Sequence, residues 1–356
     1  MKWTNFNIHT FKSLIYFLLI PLSFIYGSIT AIRNLLFDYG IFKSVSHNIP
    51  IICIGNLSVG GTGKTPHTQY IINLLKTDYK VAILSRGYGR KTSTLQYVET
   101  TRTATEVGDE PLQLKLNNPN CIVVVEKNRN KGVKKILKDF PETDVILLDD
   151  GYQHRWIKAG FNILITPYYY PYYKDSLMPV GNLRESKKGA ERANAIVFSK
   201  TPENINPTLK KGMLERLHLF AHQKAYFSHI DYCTWRCIRT NKEFTSDQKY
   251  SITLVSGIVN PKPLVEQLEN KGHTISQITF KDHHSYTTYD AQKILAKYNA
   301  DESAKKLILT TEKDATKLRE LLAHFEDANL YYIPIDIAFS EQEIFDRQIL
   351  NYVAKN

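Results

Sequence analysis

The chain of 356 residues is long enough for two domains, and its 43% hydrophobic content excludes a protein that is disordered throughout. Its formal net charge of +11 favours an anionic partner, such as nucleic acid, an acidic membrane face or a phosphorylated substrate. The charge alone does not choose among these three.

The first element in chain order is an uncharged segment, SLIYFLLIPLSFIYGSITAI, which runs from Ser13 to Ile32 between Lys12 and Arg33. A helix of about 20 apolar residues can cross the hydrocarbon core of a bilayer, although Pro21 interrupts this run. Three structures therefore stay open: a spanning helix, a helix in the membrane interface and a helix buried in the core.

A glycine-rich turn, NLSVGGTGKTP, follows the apolar strand PIICIG and leads into a predicted helix from Thr65 to Lys76. In a phosphate loop of this kind, backbone N–H groups and a lysine hold phosphate oxygens, and a Thr hydroxyl holds Mg²⁺. Ser58 stands where the general pattern has glycine, but the other glycines supply enough flexibility for the turn. The predicted nucleotide-binding residues are Ser58, Val59, Gly60, Gly61, Thr62, Gly63, Lys64 and Thr65. Because this site must face ATP, we expect the bulk of the chain to be cytoplasmic.

Further apolar runs alternate with predicted helices: KVAILSRGYG, CIVVVEK, DVILLDDG, FNILIT and AIVFSK. Continuous apolar strands separated by helices are typical of a parallel α/β sheet covered on both faces. The polar stretch TPENINPTLKKG near residue 205 indicates a domain boundary. After it, AYFSHIDYCTW and KYSITLVSG are predicted strands that could pair as a linker, and a second α/β series follows.

The strand VILLDD ends in two adjacent carboxylates, Asp149 and Asp150. A phosphate-loop enzyme commonly has a second apolar strand whose terminal acidic residue holds the metal. Adjacent side chains of an extended chain point to opposite sides. One carboxylate is therefore predicted to face Mg²⁺ and the other to orient a neighbour, the alternative being a solvated turn.

Three more polar clusters suggest chemistry. SRGYGRK offers Arg86 and Arg90 to a substrate phosphate, or is a basic surface turn. VGDEP places Asp109 at a helix start, where a capping role is the simpler interpretation and a catalytic carboxylate the other. FKDHHSY places His283 and His284 beside an acidic residue, which suits proton transfer near neutral pH or a structural loop.

The four cysteines give no second pair to match the C-x₃-C spacing of Cys233 and Cys237. Because zinc sites need four ligands at suitable spacing, reduced thiols are the simpler interpretation. No basic stripe with interleaved aromatic residues is found, so nucleic acid is not an expected partner. The patch PYYYPYY, from Pro167 to Tyr173, is either a membrane or acyl-chain contact or an aromatic packing cluster.

Taken together, these segments resemble the tetraacyldisaccharide 4'-kinase family, the lipid A 4'-kinases of Gram-negative bacteria. Seven motifs carry the resemblance between Gly55 and Ala315: GNLSVGGTGKTP, SRGYGR, VGDEP, DDGYQH, PVGNLRE, DHHSY and TTEKDA. The resemblance implies a two-lobed, P-loop NTPase-like α/β fold with a parallel sheet in the N-terminal lobe and a smaller α/β C-terminal lobe. We expect a membrane-associated N-terminal helix at 1–38, a P-loop kinase domain at 39–205 and the C-terminal lobe with a strand linker at 206–356.

The activity that the resemblance implies is transfer of the ATP γ-phosphate to the 4'-hydroxyl of tetraacyldisaccharide 1-phosphate, giving lipid IVA. ATP and Mg²⁺ are the implied cofactors. The enzyme is expected at the cytoplasmic leaflet of the inner membrane, where its basic charge suits an anionic lipid. The alternative is a P-loop kinase or NTPase acting on a soluble substrate.

The resemblance also implies residue roles. The catalytic residues are Asp109, His283 and Asp150; the metal-holding residues are Thr65 and Asp149; and the substrate-binding residues are Arg86 and Glu185. Asp109 and His283 would form the pair that accepts the hydroxyl proton. Of the two adjacent histidines, His283 is chosen because it directly follows Asp282.

Overall fold

The computed structural model describes residues 6–356, with side chains described from residue 19 onward. In this part of the chain the helices are α1 (Phe6–Asp38), α2 (Lys64–Leu75), α3 (Ala104–Val107), α4 (Asp109–Asn117), α5 (Arg129–Asp139), α6 (Pro207–Glu215), α7 (Lys262–Asn270), α8 (Thr288–Asn299), α9 (Glu312–Leu318) and α10 (Gln342–Ala354). The strands are β1 (Ile51–Gly55), β2 (Val81–Ser85), β3 (Gln96–Tyr97), β4 (Ile122–Val125), β5 (Val145–Asp149), β6 (Phe161–Pro167), β7 (Ala195–Ser199), β8 (Lys224–Tyr232), β9 (Trp235–Cys237), β10 (Glu243–Phe244), β11 (Ser251–Ser256), β12 (Thr274–Thr279), β13 (Lys306–Thr311), β14 (Leu330–Ile333) and β15 (Ile335–Phe339).

The chain forms two compact units, and each is discontinuous in sequence. The first unit contains the chain up to Leu84, Asn128–His229 and Ala338–Asn356, and the second contains Ser85–Lys127 and Ile230–Ile337. The division therefore differs from the continuous domains expected on either side of residue 205. In the second unit, α4 of the segment Ser85–Lys127 packs on α9 of the segment Ile230–Ile337. This packing is one reason why the earlier segment belongs to the second unit.

The first unit is built on a parallel sheet with the strand order β8-β7-β6-β1-β5-β2. β1 is fully buried and pairs with β5 on one side and β6 on the other. The chain leaves β1 through α2 toward β2, whereas β6 lies on the opposite side of β1. Ligands of open parallel sheets bind at the carboxyl ends of the strands where the order reverses in this way.

The second unit contains another parallel sheet, with the order β12-β11-β13-β14, and β9 and β10 add antiparallel strands at the edge beside β14. Apolar side chains of α8 and α9 fill one side of its core, and those of α7 fill another cluster. The segment that follows β12 contains His283, and α9 begins directly after β13. The carboxyl ends of these parallel strands therefore also carry polar residues of interest.

The two strands expected to pair as a linker do not pair with each other. β8 adds to β7 in parallel in the first unit, while β11 pairs with β12 and β13 in the second unit. The predicted linker pairing is wrong because each apolar run finds its hydrogen-bonding partners in a different parallel sheet.

Between Leu19 and Asp38, helix α1 exposes most of its apolar side chains, and this stretch is long and apolar enough to cross a membrane. The exposed residues are Ile20, Leu22, Phe24, Ile25, Ile29, Ile32 and Leu35. This exposure excludes the buried-core alternative for residues 19–38, while the side chains of residues 13–18 lie outside the described part. Polar contacts attach the helix to its unit, since Ser23 donates to the Leu177 carbonyl at 2.9 Å and Tyr26 to the Arg184 carbonyl at 2.7 Å.

Candidate functional site

The loop between β1 and α2 has the backbone of a phosphate cradle. Gly60 and Gly63 have φ values of 101° and 91°, in the left-handed region that favours glycine. Ser58 does not have a positive φ; its backbone forms an antiparallel bridge with Leu183, and its hydroxyl lies 3.4 Å from Asp175 Oδ2. Serine at position 58 is therefore compatible with the turn, because glycine is required only further along it.

Lys64 lies at the start of α2 and is 9% exposed. Its Nζ lies 3.6 Å from Asp150 Oδ1, and Arg184 Nη1 lies 3.2 Å from the same oxygen. Burial raises the pKa of Asp150, but the two cations outweigh burial and lower the pKa below its ordinary value. The Asp150 carboxylate is therefore ionised and holds the lysine ammonium beside the loop.

Asp149 ends β5, and in the parallel register it is level with Ile54 of β1. Its side chain is fully buried, and Thr68 of α2 donates to Asp149 Oδ1 at 3.0 Å. Asp150 has a φ of 49°, which turns the chain out of the strand. The two adjacent carboxylates contact different residues of α2: Asp149 accepts from Thr68, and Asp150 lies beside Lys64. Because Asp150 is not extended, the alternation predicted for an extended chain does not apply to it.

These residues fit a magnesium ion that arrives with a nucleotide. In nucleotide sites Mg²⁺ takes one or two carboxylates and a hydroxyl, and phosphates and water complete its octahedron. Thr65, 7% exposed at the start of α2, and Asp149, which ends β5, supply this donor set. Within the described residues, no group of three His, Cys, Asp or Glu side chains could hold a metal ion unaided.

Glu185 is fully buried, and its carboxylate is occupied within the first unit. Arg192 forms an ion pair with it at 2.9 Å, Asn34 of α1 donates to it at 2.7 Å, and Gln153 Nε2 lies 3.3 Å away. These contacts suit active-site support more than direct substrate contact.

The second unit brings Asp109 and His283 together, although 174 residues separate them in the sequence. His283 Nδ1 lies 2.9 Å from Asp109 Oδ2. Asp109 is not the N-cap of α4; Gly108 holds that position with a φ of 95°, and Asp109 is the first helical residue. Since the carboxylate accepts from Nδ1–H, His283 Nε2 is left as the basic nitrogen.

Charges around the pair keep its carboxylate ionised. Burial raises the pKa of Asp109, but the hydrogen bond from His283 and the ammonium groups of Lys313 and Lys317 outweigh it and lower the pKa to about 2. The hydrogen bond to Asp109 in turn raises the pKa of His283 above its ordinary value, against burial and the charge of Lys313. The pair is therefore a carboxylate-oriented histidine that can accept a proton near neutral pH.

Two lysines of α9 belong to this cluster. Lys313 Nζ donates to Asp282 at 2.8 Å and lies 3.5 Å from His283 Nε2. Lys317 Nζ, 8% exposed, lies 3.9 Å from Asp109 Oδ2. The motif TTEKDA contains Lys313, and Lys317 follows it two residues later. The spacing of four residues on a helix after a strand was the signal that the two lysines share one face.

His284 has a separate role. Its Nε2 lies 3.0 Å from Asp290 Oδ2, and the same carboxylate accepts from the Thr287 backbone in the capping box of α8. The ring also stacks on Phe280. Of the two histidines, His283 contacts Asp109, whereas His284 contacts the capping residue Asp290 at the start of α8.

The remaining predicted positions are more peripheral. Arg86 is exposed just after β2, whereas Arg90 folds back to donate to the Thr94 carbonyl at 2.7 Å. In the tyrosine patch, Tyr169 and Tyr170 are 71% and 51% exposed, while Tyr172 is buried. The four cysteines are free thiols.

Sequence reasoning missed two residues that this geometry brings forward. Arg184 lies in the motif PVGNLRE, but nothing local predicted that its side chain would reach Asp150. His67 follows the phosphate loop directly in GKTPH, and its ring lies 2.7 Å from the Gly63 carbonyl. A histidine one turn into the helix of a phosphate loop was the available signal.

Comparisons with known proteins agree on one family. The family model described as tetraacyldisaccharide-1-P 4'-kinase, LpxK, matches residues 15–354. A tetraacyldisaccharide 4'-kinase of Bacteroides thetaiotaomicron is 39% identical over 354 residues, covering 95% of this chain and 93% of the relative. The enzyme of the same name from Flavobacterium johnsoniae is 41% identical over 341 residues, covering 95% of this chain and 97% of the relative.

A solved structure is similar along the whole chain. It is LpxK from Aquifex aeolicus in complex with ATP, with a TM-score of 0.76 and 29% sequence identity. The match covers 95% of this chain and 99% of that chain.

Proposed function

The chain belongs to the tetraacyldisaccharide-1-P 4'-kinase family and is an ATP-dependent kinase, and we propose that its two residue clusters carry out the family's reaction. The family resemblance, the P-loop-like α/β fold and the kinase activity predicted from the motifs are confirmed. The proposal concerns the role of each residue, the metal ion and the membrane. The observation that carries it is the buried Lys64 beside Asp150 at the end of a glycine-rich phosphate loop.

The first unit binds the ATP phosphates. Backbone N–H groups of the loop bind the phosphate oxygens, except those of Val59 and Thr62, which donate to the Asn182 and Gly60 carbonyls. The positive end of the α2 dipole favours the phosphate charge. Lys64 reaches the β- and γ-phosphates, and its distance of 3.6 Å from Asp150 leaves the ammonium able to move to a phosphate oxygen. Arg184 still forms an ion pair with the Asp150 carboxylate when the lysine moves, so the negative charge of Asp150 is not left unpaired.

Thr65 and Asp149 would hold Mg²⁺, and Asp150 would orient the neighbouring groups. When bound, the ion neutralises phosphate charge as the γ-phosphoryl group is transferred. Asp149 is held toward α2 by Thr68, so the residues that would hold the ion are fixed on rigid elements. Glu185 supports this arrangement indirectly, because Gln153 contacts both Glu185 and Arg184, and Arg184 pairs with Asp150.

The second unit accepts the proton of the acceptor alcohol. The 4'-hydroxyl oxygen of tetraacyldisaccharide 1-phosphate forms a bond to the γ-phosphorus, and the bond from that phosphorus to the bridging oxygen of ADP breaks. The hydroxyl proton passes to His283 Nε2, and Asp109 stabilises the imidazolium through Nδ1–H. Arg86 is a candidate contact for a substrate phosphate.

The substrate is a lipid, and the exposed face of α1 suits a peripheral position on the cytoplasmic leaflet of the inner membrane. Phe24 and Ile29 of this helix are 76% and 63% exposed. Apolar residues of this size are stabilised at a bilayer surface. The net charge of +11 adds attraction to anionic lipid.

The test is transfer of labelled γ-phosphate from MgATP to tetraacyldisaccharide 1-phosphate in mixed micelles. We expect labelled lipid from the wild type and losses of at least about 100-fold in rate for Asp109→Asn, His283→Gln and Asp149→Asn. His284→Gln is the matched control, since it removes the adjacent histidine, whose partner is Asp290. Wild-type protein that binds ATP but leaves the lipid unlabelled would contradict the proposed substrate, and equal losses for His283→Gln and His284→Gln would contradict the assignment of the base.

A further inference from the structure

Three successive carbonyl oxygens of the phosphate loop, at residues 61–63, accept hydrogen bonds from side chains outside the loop. The pairs are Lys200 Nζ to Gly61 O at 2.6 Å, Ser199 Oγ to Thr62 O at 2.7 Å and His67 Nδ1 to Gly63 O at 2.7 Å. Two of the donors lie at the carboxyl end of β7, and the third lies in the first turn of α2. All of these residues belong to the first unit.

His67 makes a second contact, through its other ring nitrogen, that orients the ring. Its Nε2 lies 2.8 Å from Ser228 Oγ of β8, and both side chains are buried. A backbone carbonyl can only accept a hydrogen bond, so Nδ1 carries the proton and donates to Gly63. Nε2 then accepts from the Ser228 hydroxyl. Ser228 therefore orients His67 with its donor toward the loop.

The contribution of His67 is geometric, because Nδ1 donates to the Gly63 carbonyl and Nε2 accepts from Ser228, which leaves a neutral ring with a single proton. A neutral imidazole cannot attract a phosphate as Lys64 does. It can hold one peptide group in a fixed orientation.

A fixed orientation matters here because the loop is rich in glycine. Gly60 and Gly63 adopt left-handed φ values, and glycine has more backbone freedom to lose than any other residue. A loop that is ordered before ligand binding binds more tightly, because the entropy of ordering is then lost on folding. Holding the carbonyl groups at residues 61–63 also leaves the intervening N–H groups in one arrangement.

We propose that His67, oriented by Ser228, is a positioning residue for ATP binding. With Ser199 and Lys200 it forms a carbonyl clamp that holds the phosphate loop in its binding shape before the nucleotide arrives. The clamp touches no reacting atom. It rests on the proposed binding of ATP phosphates by this loop and adds a set of residues that no motif assigned.

Two substitutions at one position test the clamp. His67→Phe keeps a ring of similar size and removes the donor, whereas His67→Asn keeps an N–H donor close to the place of Nδ1. One hydrogen bond contributes about 1 kcal/mol, which is roughly a fivefold to tenfold change in a binding constant. We expect the dissociation constant of MgATP to rise about tenfold for His67→Phe and to stay within about threefold of wild type for His67→Asn.

The measurement is calorimetric titration of the full-length protein with MgATP in the absence of lipid, followed by the KM for ATP and for the lipid acceptor. The clamp predicts a higher KM for ATP and an unchanged KM for the acceptor. Because ATP binding is read without the acceptor, a failure of the clamp is distinguishable from a failure of the lipid-kinase proposal.

Tyr70→Phe is the matched control on the same helix. It removes the hydrogen bond from Tyr70 to Asp346 of α10, at 2.6 Å, without touching the loop. We expect it to lower the melting temperature and leave ATP binding unchanged. If His67→Phe behaves in the same way, with ATP affinity within twofold of wild type, the clamp is wrong.

Ser228→Ala keeps the test decisive if His67→Phe does not fold. Without the serine hydroxyl, His67 loses the buried partner of Nε2 that orients its ring, and the donor to Gly63 is held less firmly. We expect the MgATP dissociation constant to rise about threefold to fivefold for this variant. An unchanged constant would overturn the proposal.

Discussion

Asp109 and His283 set each other's protonation state. The ionised carboxylate accepts from Nδ1–H at 2.9 Å, so it favours the protonated imidazole and raises the pKa of His283. The basic form of His283 accumulates above this pKa. Activity is therefore expected to fall as pH drops through a value above the ordinary one for histidine.

Asp109→Asn should move the acidic limb of the pH–rate profile to lower pH. The amide keeps a hydrogen-bond acceptor but carries no charge, so protonating His283 becomes less favourable and the pKa of His283 falls. The maximal rate should also fall by about 100-fold, since the imidazolium loses its stabilising carboxylate. The measurements are kcat against pH and an NMR titration of His283.

The matched control for this prediction is Asp290→Asn, which neutralises the partner of the adjacent His284. It should leave the pKa of His283 and the position of the acidic limb unchanged. A His283 pKa that is the same in wild type and Asp109→Asn would show that the carboxylate does not govern the base.

Lys64 should matter at least as much as the base. Phosphoryl transfer passes through a loose transition state, in which charge neutralisation and positioning contribute more than base strength. We expect Lys64→Met to lower kcat by about 100-fold or more, and no less than His283→Gln does. Single-turnover rates of phosphate transfer to the lipid would measure the losses for both variants. A loss for His283→Gln ten times greater than that for Lys64→Met would reverse this ranking.

At the scale of single elements, helix α1 exposes an apolar face of the type that inserts into a bilayer surface. Ile29→Glu places a charge on that face, where the isoleucine is 63% exposed. We expect binding to anionic lipid vesicles to fall at least about fivefold while ATP binding is unchanged, because the substitution removes apolar area and adds repulsion. Vesicle sedimentation and ATP titration measure the two effects.

Ile344→Glu is the control for this element. Ile344 lies on α10 in the same unit and is 53% exposed, so the chemical change and the exposure are similar. Vesicle binding that drops equally for both variants would mean that α1 has no special part in membrane association.

Elements that are specified by neighbouring residues in the sequence could be predicted from it. The phosphate loop follows from glycine, lysine and threonine at fixed spacing between an apolar strand and a helix, and α2 begins within one residue of the prediction. The capping role first preferred for Asp109 was a local interpretation as well. It failed because Gly108 is the N-cap and the Asp109 carboxylate is bound by His283, which lies 174 residues away in the sequence.

At the scale of the whole molecule, the discontinuity of both units could not be predicted from the chain's texture. The polar stretch near residue 205 is a turn before α6 within the first unit, and the chain crosses to the second unit only after His229. The segment Ser85–Lys127 has the same alternation of strands and helices as its neighbours. Its composition therefore does not indicate a domain boundary. The segment belongs to the second unit because its residues pack against that unit.

The net charge of +11 is a property of the entire chain, and it predicts how salt affects membrane binding. Attraction between a basic protein and an anionic leaflet is screened by salt, since the Debye length falls from about 10 Å at 0.1 M to about 3 Å at 1 M. Binding to vesicles that contain anionic lipid should therefore weaken at least about tenfold between 50 mM and 500 mM salt. Binding to neutral vesicles should be weaker and almost independent of salt, because the apolar face of α1 acts without charge. Sedimentation with both vesicle types across the salt series separates the two contributions. Salt-independent binding to anionic vesicles would leave the helix as the sole attachment and exclude a role for the net charge.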